Sequence, residues 1–186
     1  MVRAWYMDDS PDDQRLEHHL ATPKFVPLDD LGRNTGVLCF KLDPKKYEQE
    51  GKLSAIKKER GYNYMDVIQV TPEKMHNYED MIKVFFREHL HTDEEIRFVT
   101  EGSGYFDVRD HEDRWIRVET TPGDMIILPA GIYHRFTLDS KNYIKALRLF
   151  KDEPVWTPYN RPADDMDIRK TYLSQQTERS VDSACS

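Results

Sequence analysis

Hydrophobic and polar positions change period near the middle of this chain. Before His89 the apolar residues come in separated groups. "VRAWYM", "GVLCFKL" and "MDVIQV" carry enough β-branched and aromatic residues to predict three strands. Between them, "PKKYEQEGKLSAIKKER" from Pro44 to Arg60 is rich in helix formers, with Gly51 weakening that helix or dividing it. "TPEKMHNYEDMIKVFFREH" then places Met75, Tyr78, Met81, Ile82, Phe85 and Phe86 at helical spacing. Thr71 is its expected N-cap and Pro72 its first helical residue.

From His89 onward the text breaks into short runs: "EIRFVT", "GYFDVRD", "RWIRVET", "DMIILP", "HRFTLD" and "YIKALRLF". The turn signals "EGSG", "DHED", "TPGD" and "PAG" separate them. Many short strands at close spacing predict a sandwich or barrel with helices attached outside. "VWTPYNRPADD" reads as loop and "DDMDIRKTYLSQQ" as one helix. Residues 1–175 are expected to form a single domain, and the polar residues 176–186 a frayed, disordered tail.

Composition narrows the function classes. The chain has 186 residues, 33% charged and 38% hydrophobic, which suits a globular protein. Lys and Arg number 27 against 34 Asp and Glu, a net charge of −7 with no basic patch, so no nucleic-acid partner is expected. No apolar run approaches a membrane span or a signal peptide, so no membrane insertion is expected. Two distant cysteines, Cys39 in an apolar run and Cys185 in the polar tail, support no disulfide framework and point to a reducing compartment.

The candidate chemistry lies in "EHLHTDEEIRFVTEGSG". Residues i and i+2 on a strand face one side, so His89 and His91 point together. Glu95 and Arg97 join them if the strand continues past a small irregularity. Imidazole and carboxylate are ligands for iron, nickel, zinc or manganese. Alone, however, the pair also reads as surface histidines beside the charge run of Asp93 and Glu94.

A second segment changes that balance. "GDMIILPAGIYH" sets Gly123, Pro129, Gly131 and His134 at the intervals G-x5-P-x-G-x2-H. The two segments together resemble the paired motifs of the cupin family. That resemblance implies a mainly β fold, a double-stranded β-barrel (jelly roll) with several peripheral helices. It also implies metal ligands at His89, His91, Glu95 and His134. Two family positions differ: Lys83 stands where the first motif opens with glycine, and Leu138 where the second ends with asparagine. Neither removes a ligand.

The resemblance narrows further with "AWYMDD", "GSGYFDVRD", "LPAGIYHRFTLD" and "PVWTPYNRPAD". With these, the chain from Val2 to Asp164 looks like the acireductone dioxygenases of the animal type. That family implies a methionine-salvage enzyme acting on 1,2-dihydroxy-5-(methylthio)pent-1-en-3-one and O2. Its Fe(II) form gives 4-methylthio-2-oxobutanoate and formate. Its Ni(II) form gives 3-(methylthio)propanoate, formate and CO. The resemblance further implies a monomer in cytoplasm and nucleus, reaching the cytoplasmic face of the cell membrane by binding the cytoplasmic tail of a membrane metalloprotease. The alternatives are another cupin dioxygenase or isomerase, and a cupin kept as a binding or regulatory protein.

Three further residues are candidates for substrate contact. Arg97 shares the parity of Glu95 and is expected to steady an enediolate charge, or else to pair with Glu94. Phe136, two residues beyond His134, faces inward as a wall for the methylthio tail or as plain core. In "YIKALRLF", Arg148 shares a face with Ile144, Ala146 and Phe150, but the opposite face is also partly apolar. His18, His19, His76 and His111 read as structural or solvated, and Trp115 and Trp156 as packing residues.

Overall fold

Strand formation follows the period-two text closely. The computed structural model describes residues 2–184. In chain order it contains β1 (Arg3–Tyr6), α1 (Leu28–Thr35), β2 (Leu38–Lys41), α2 (Lys52–Arg60), β3 (Tyr64–Val70) and α3 (Tyr78–Phe86). There follow β4 (His89–Leu90), β5 (Glu95–Gly102), β6 (Gly104–Arg109), β7 (Trp115–Thr120), β8 (Asp124–Leu128), β9 (His134–Leu138), β10 (Ile144–Phe150), β11 (Tyr159–Asn160) and α4 (Asp167–Ala184). The strands form two antiparallel sheets, ordered β1-β7-β6-β9-β4-β11 and β2-β8-β5-β10-β3.

Alternation assigns each strand's two faces. On β8, Ile126 and Leu128 meet Val108 and Val118 of the other sheet, while Met125 and Ile127 pack under Leu53 and Ile56 of α2. β10 follows the same rule, with Leu147 and Leu149 beneath α2 and Ile144 and Ala146 turned inward. Burying each such side chain contributes about 1.5–3 kcal/mol. The outer face of the six-stranded sheet is polar but covered. There Asp107 grips the fully buried Arg117 at 2.7 and 2.8 Å and Arg135 at 2.9 Å. Arg117 in turn donates to the carbonyls of Gln14 (3.0 Å) and Leu16, strapping the N-terminal segment over the sheet.

Several expected boundaries move. The helix expected from Pro44 starts at Lys52, because Gly51 takes φ +72° and the residues before it form turns. Thr71 does not cap α3: its hydroxyl bonds Glu73, and its carbonyl closes a single turn to Lys74 and Met75. Asn77 at φ +54°, a conformation asparagine tolerates, separates that turn from α3. β11 lies in text read as loop, and α1 lies in a stretch for which no element was predicted. The disordered tail expected at residue 176 is corrected in its described part: α4 runs on to Ala184, and Gln176 is buried with its amide on the Asn34 carbonyl at 2.9 Å. Cys185 and Ser186 lie outside the described residues. Among those described, no helix is long and apolar enough to cross a membrane.

Candidate metal centre

His89 enters the site from β4, a two-residue strand between β9 and β11, where it stands opposite His134. The condition that one strand continues from His89 to Arg97 is not met. The chain bends at residues 92–93 and passes from the six-stranded to the five-stranded sheet, where Glu95 opens β5. Glu95 therefore approaches the histidines from the opposite sheet rather than from one strand face. Glu94 turns away, bonded to Arg60 and the Tyr62 hydroxyl at 2.5 Å each.

The four side chains meet at one point. One donor atom each from His89, His91, Glu95 and His134 lie within 4.8 Å of one another. Glu95 Oε2 is 3.1 Å from His91 Nε2 and 3.4 Å from His134 Nε2. Donors around one ion with bonds of about 2.1 Å stand about 3.0–3.4 Å apart at neighbouring positions, so these spacings fit a single divalent cation. The ring nitrogens agree. Each Nδ1 is engaged by a backbone carbonyl: Arg87 for His89 (2.5 Å), Thr157 for His91 (2.9 Å) and Ile132 for His134 (3.0 Å). Those carbonyls make Nδ1 the protonated nitrogen and leave the Nε2 lone pairs free for a metal.

Electrostatics keep His89 neutral and Glu95 anionic. Burial, helped by the neighbouring His134, lowers His89 to about 4, so its ring is neutral at physiological pH. Burial opposes charge on His91 too, but the hydrogen bond to Glu95 prevails and raises it. Burial would also raise Glu95, yet Arg97, and then His134 and His91, hold it well below the ordinary carboxylate range. An anionic carboxylate among imidazoles suits a dication.

The donors sit at one end of a cavity of about 420 Å³ whose far side is apolar, with Ile68, Val70, Met75, Met81 and Phe85. Arg97 lines it on the inward face, 3.7 Å from Glu95 Oε1, and does not pair with Glu94. Phe136 also lines it, packed on Phe106 (ring centroids 4.9 Å apart) and Phe85 (6.3 Å). Arg148 lies on the inward face with Ile144 and Ala146, but both of its donating nitrogens rest on Asp66, at 2.8 and 2.6 Å. Trp156 packs as expected, on Phe150 (ring centroids 5.4 Å apart) and Tyr64 (6.4 Å). Its ring also lines the cavity, 4.1 Å from the Arg148 guanidinium and 5.8 Å from that of Arg97.

Residues that sequence reasoning missed are Asp66 and the three carbonyls behind the imidazoles. Asp66 lies 82 positions from Arg148, and backbone carbonyls carry no side-chain signature. The other histidines stay outside the site. His18 bonds Asp8 at 2.8 Å, and His19 lies against Trp5 with ring centroids 4.6 Å apart. Trp115, stacked under Arg109 (3.8 Å) and Arg135 (4.2 Å), packs as expected.

Two facing sheets that hold three imidazoles and a carboxylate inside a cavity define a cupin metalloprotein. Comparison with known proteins is more specific. Residues 3–158 match the model of the ARD/ARD' family. The chain is 64% identical to an acireductone dioxygenase of Branchiostoma floridae over 93% of this chain and 96% of that one. It is 59% identical to the acireductone dioxygenase of Rattus norvegicus, over 93% and 96% respectively. Among solved structures it resembles an acireductone dioxygenase from Bacillus anthracis with a cadmium ion in its active centre. That match has a TM-score of 0.65 and 25% identity, over 74% of this chain and 93% of that one. The chain thus belongs to the ARD/ARD' family and is a metal-dependent dioxygenase of the acireductone dioxygenase type.

Proposed function

We propose that the enzyme acts in methionine salvage on 1,2-dihydroxy-5-(methylthio)pent-1-en-3-one and O2, with Fe(II) or Ni(II) held by His89, His91, Glu95 and His134. The Fe(II) form yields 4-methylthio-2-oxobutanoate and formate; the Ni(II) form yields 3-(methylthio)propanoate, formate and CO. The observation that carries this reading is the cavity itself, with four ligating donors and an arginine at one end and an apolar chamber at the other. When bound, the metal supplies Lewis acidity that favours the deprotonated, electron-rich enediol.

The chain's own residues do the rest. Among the described cavity residues, each imidazole is committed through Nδ1 to a carbonyl and would hold a bound metal through Nε2, and beside these and Glu95 the ionisable groups are Arg97 and Arg148. The cavity thus selects the substrate as an enediolate anion, which Arg97 steadies. Arg148, half-neutralised by Asp66, adds a weaker field. Phe136 and the methionines exclude water around an apolar tail. The family resemblance extends the proposal to a monomer in cytoplasm and nucleus.

The test starts from metal-free protein reloaded separately with Fe(II) and Ni(II), with consumption of acireductone followed and the products identified. Both forms should turn over with different products. Absence of turnover with either metal refutes the assignment, and identical products from both refute the metal-dependent branching. His134→Ala should lose bound metal, and full retention of metal would show the ligand set to be wrong.

A further inference from the structure

The metal-bearing strand is too short to hold itself. β4 has two residues, one register pair with β9 (His89 with His134) and two with β11. β11 is itself two residues long and flanked by irregular chain. So small a ladder offers few backbone hydrogen bonds, yet a metal centre needs ligands fixed to a fraction of an ångström. The missing rigidity comes from outside the barrel, and it centres on Arg161 of the "YNRPAD" segment, which the proposed chemistry does not use.

Arg161 binds the residue before His89 twice. Its backbone N–H donates to the Glu88 carbonyl at 3.1 Å, and its Nη1 to the Glu88 carboxylate at 2.8 Å. The same guanidinium holds Asp113, with Nη1 at 2.9 Å and Nη2 at 3.1 Å. Its flat face lies 4.6 Å from the ring of Tyr133, the residue before His134. Arg109 completes the arrangement. It grips Glu88 through Nε (2.9 Å) and Nη2 (3.1 Å), and its N–H donates to the Tyr133 carbonyl at 3.1 Å. β11, which Arg161 follows directly, lies just beyond Thr157, whose carbonyl orients His91. The three imidazoles thus share one external anchor.

We propose that Arg161 is a positioning residue that sets the metal affinity of the site by fixing the chain immediately before His89 and His134 and immediately after Thr157. The proposal rests on the metal-site reading above and goes beyond it. Arg161 touches neither the cavity nor any ligating atom. Removing it should loosen three ligands together while leaving the cavity wall intact.

The experiment uses the full chain with Co(II) as probe, its affinity measured by competition with a chromophoric chelator and its coordination by the visible absorption of the bound ion. The variants are Arg161→Met, Arg161→Lys and Arg3→Met. Arg3 serves as control because its pair with Glu119 (2.7 Å) lies on the same outer face, away from any ligand. Arg161→Met should lower Co(II) affinity about 10–100-fold and alter the absorption bands, the size of effect seen when a partner that orients a ligand is removed. Arg161→Lys should recover part of the loss, since an ammonium can reach Glu88 but cannot fork to Asp113 as well. Arg3→Met should bind as the wild type does.

The urea midpoint of the metal-free protein separates positioning from plain stability. For Arg161→Met and Arg3→Met it should fall by similar small amounts. Wild-type affinity and spectrum in Arg161→Met overturn the proposal. So does an affinity loss matched by a collapse of metal-free stability. If Arg161→Met does not fold, Arg161→Lys decides, with unchanged affinity counting against the proposal. Wild-type protein that takes up no Co(II) overturns the metal-site reading and this inference with it.

Discussion

Two arginines face the cavity, and the structure ranks them. Arg97 has one hydrogen bond to the Ile96 carbonyl (3.0 Å), and its nearest carboxylate, Glu95, stands 3.7 Å away and would be shared with a bound metal. Arg148 is already paired through Nε and Nη2 with Asp66. For an anion about 5 Å from the Arg97 guanidinium, at an effective dielectric near 20, the attraction is about 3 kcal/mol. The same anion about 5 Å from Arg148 is also about 8 Å from Asp66, and the difference leaves about 1 kcal/mol. Arg97→Met should therefore lower kcat/KM about 10²-fold, and Arg148→Met by less than about tenfold. Metal content should hold in Arg97→Met, because Glu95 then faces the ion without a competing cation. The assay is oxygen consumption by protein loaded with one metal at a time, paired with elemental analysis of the same samples. Equal losses in the two variants, or unchanged turnover in Arg97→Met, would refute this reasoning.

Other consequences follow from burial and backbone geometry. Asp107→Ala strands the fully buried Arg117 and should cost about 3–5 kcal/mol in urea unfolding, whereas Asp107→Leu with Arg117→Met should restore most of it. An added Cβ at Gly131 would meet the Ile168 carbonyl at 2.5 Å from a residue at φ +81°, and the Gly131 N–H holds the His91 carbonyl at 3.0 Å. Gly131→Ala should therefore lose more than about 1 kcal/mol and bind less metal, as read by thermal midpoint and metal analysis. Asp66 is held below its ordinary 3.8 by the hydrogen bonds from Arg148, against burial. A carboxylate lowered by folding stabilises above its unfolded value and loses that share as pH falls through the folded one. The urea midpoint should thus drop less between about pH 5.5 and about pH 3 in Arg148→Met than in the wild type.

The difference between what the sequence shows and what it hides is a difference between local and tertiary constraints. Period-two alternation places His134 and Phe136 on one face because β9 is a regular strand paired along its length with β6. The same reasoning gives the right neighbours for the wrong reason at His89 and Glu95. Parity assumes one continuous strand, but the bend at residues 92–93 carries the chain between sheets, and no glycine or proline marks the crossing. Motif spacing succeeds there because it encodes the length needed to cross, whatever the strand does on the way. Arg148 was ambiguous because β10 is apolar on both faces, one beneath α2 and the other in the cavity; only the partner strands separate them. β11 could not be read at all, since "YN" becomes a strand only by pairing with β4. The least legible segment thus supports the most legible ligands. "HLH" is recognisable once joined to "GDMIILPAGIYH", but its rigidity comes from Arg161 and from the Thr157 carbonyl, in text that reads as loop. A His-x-His pair transplanted without that segment should therefore keep its donors and lose their orientation.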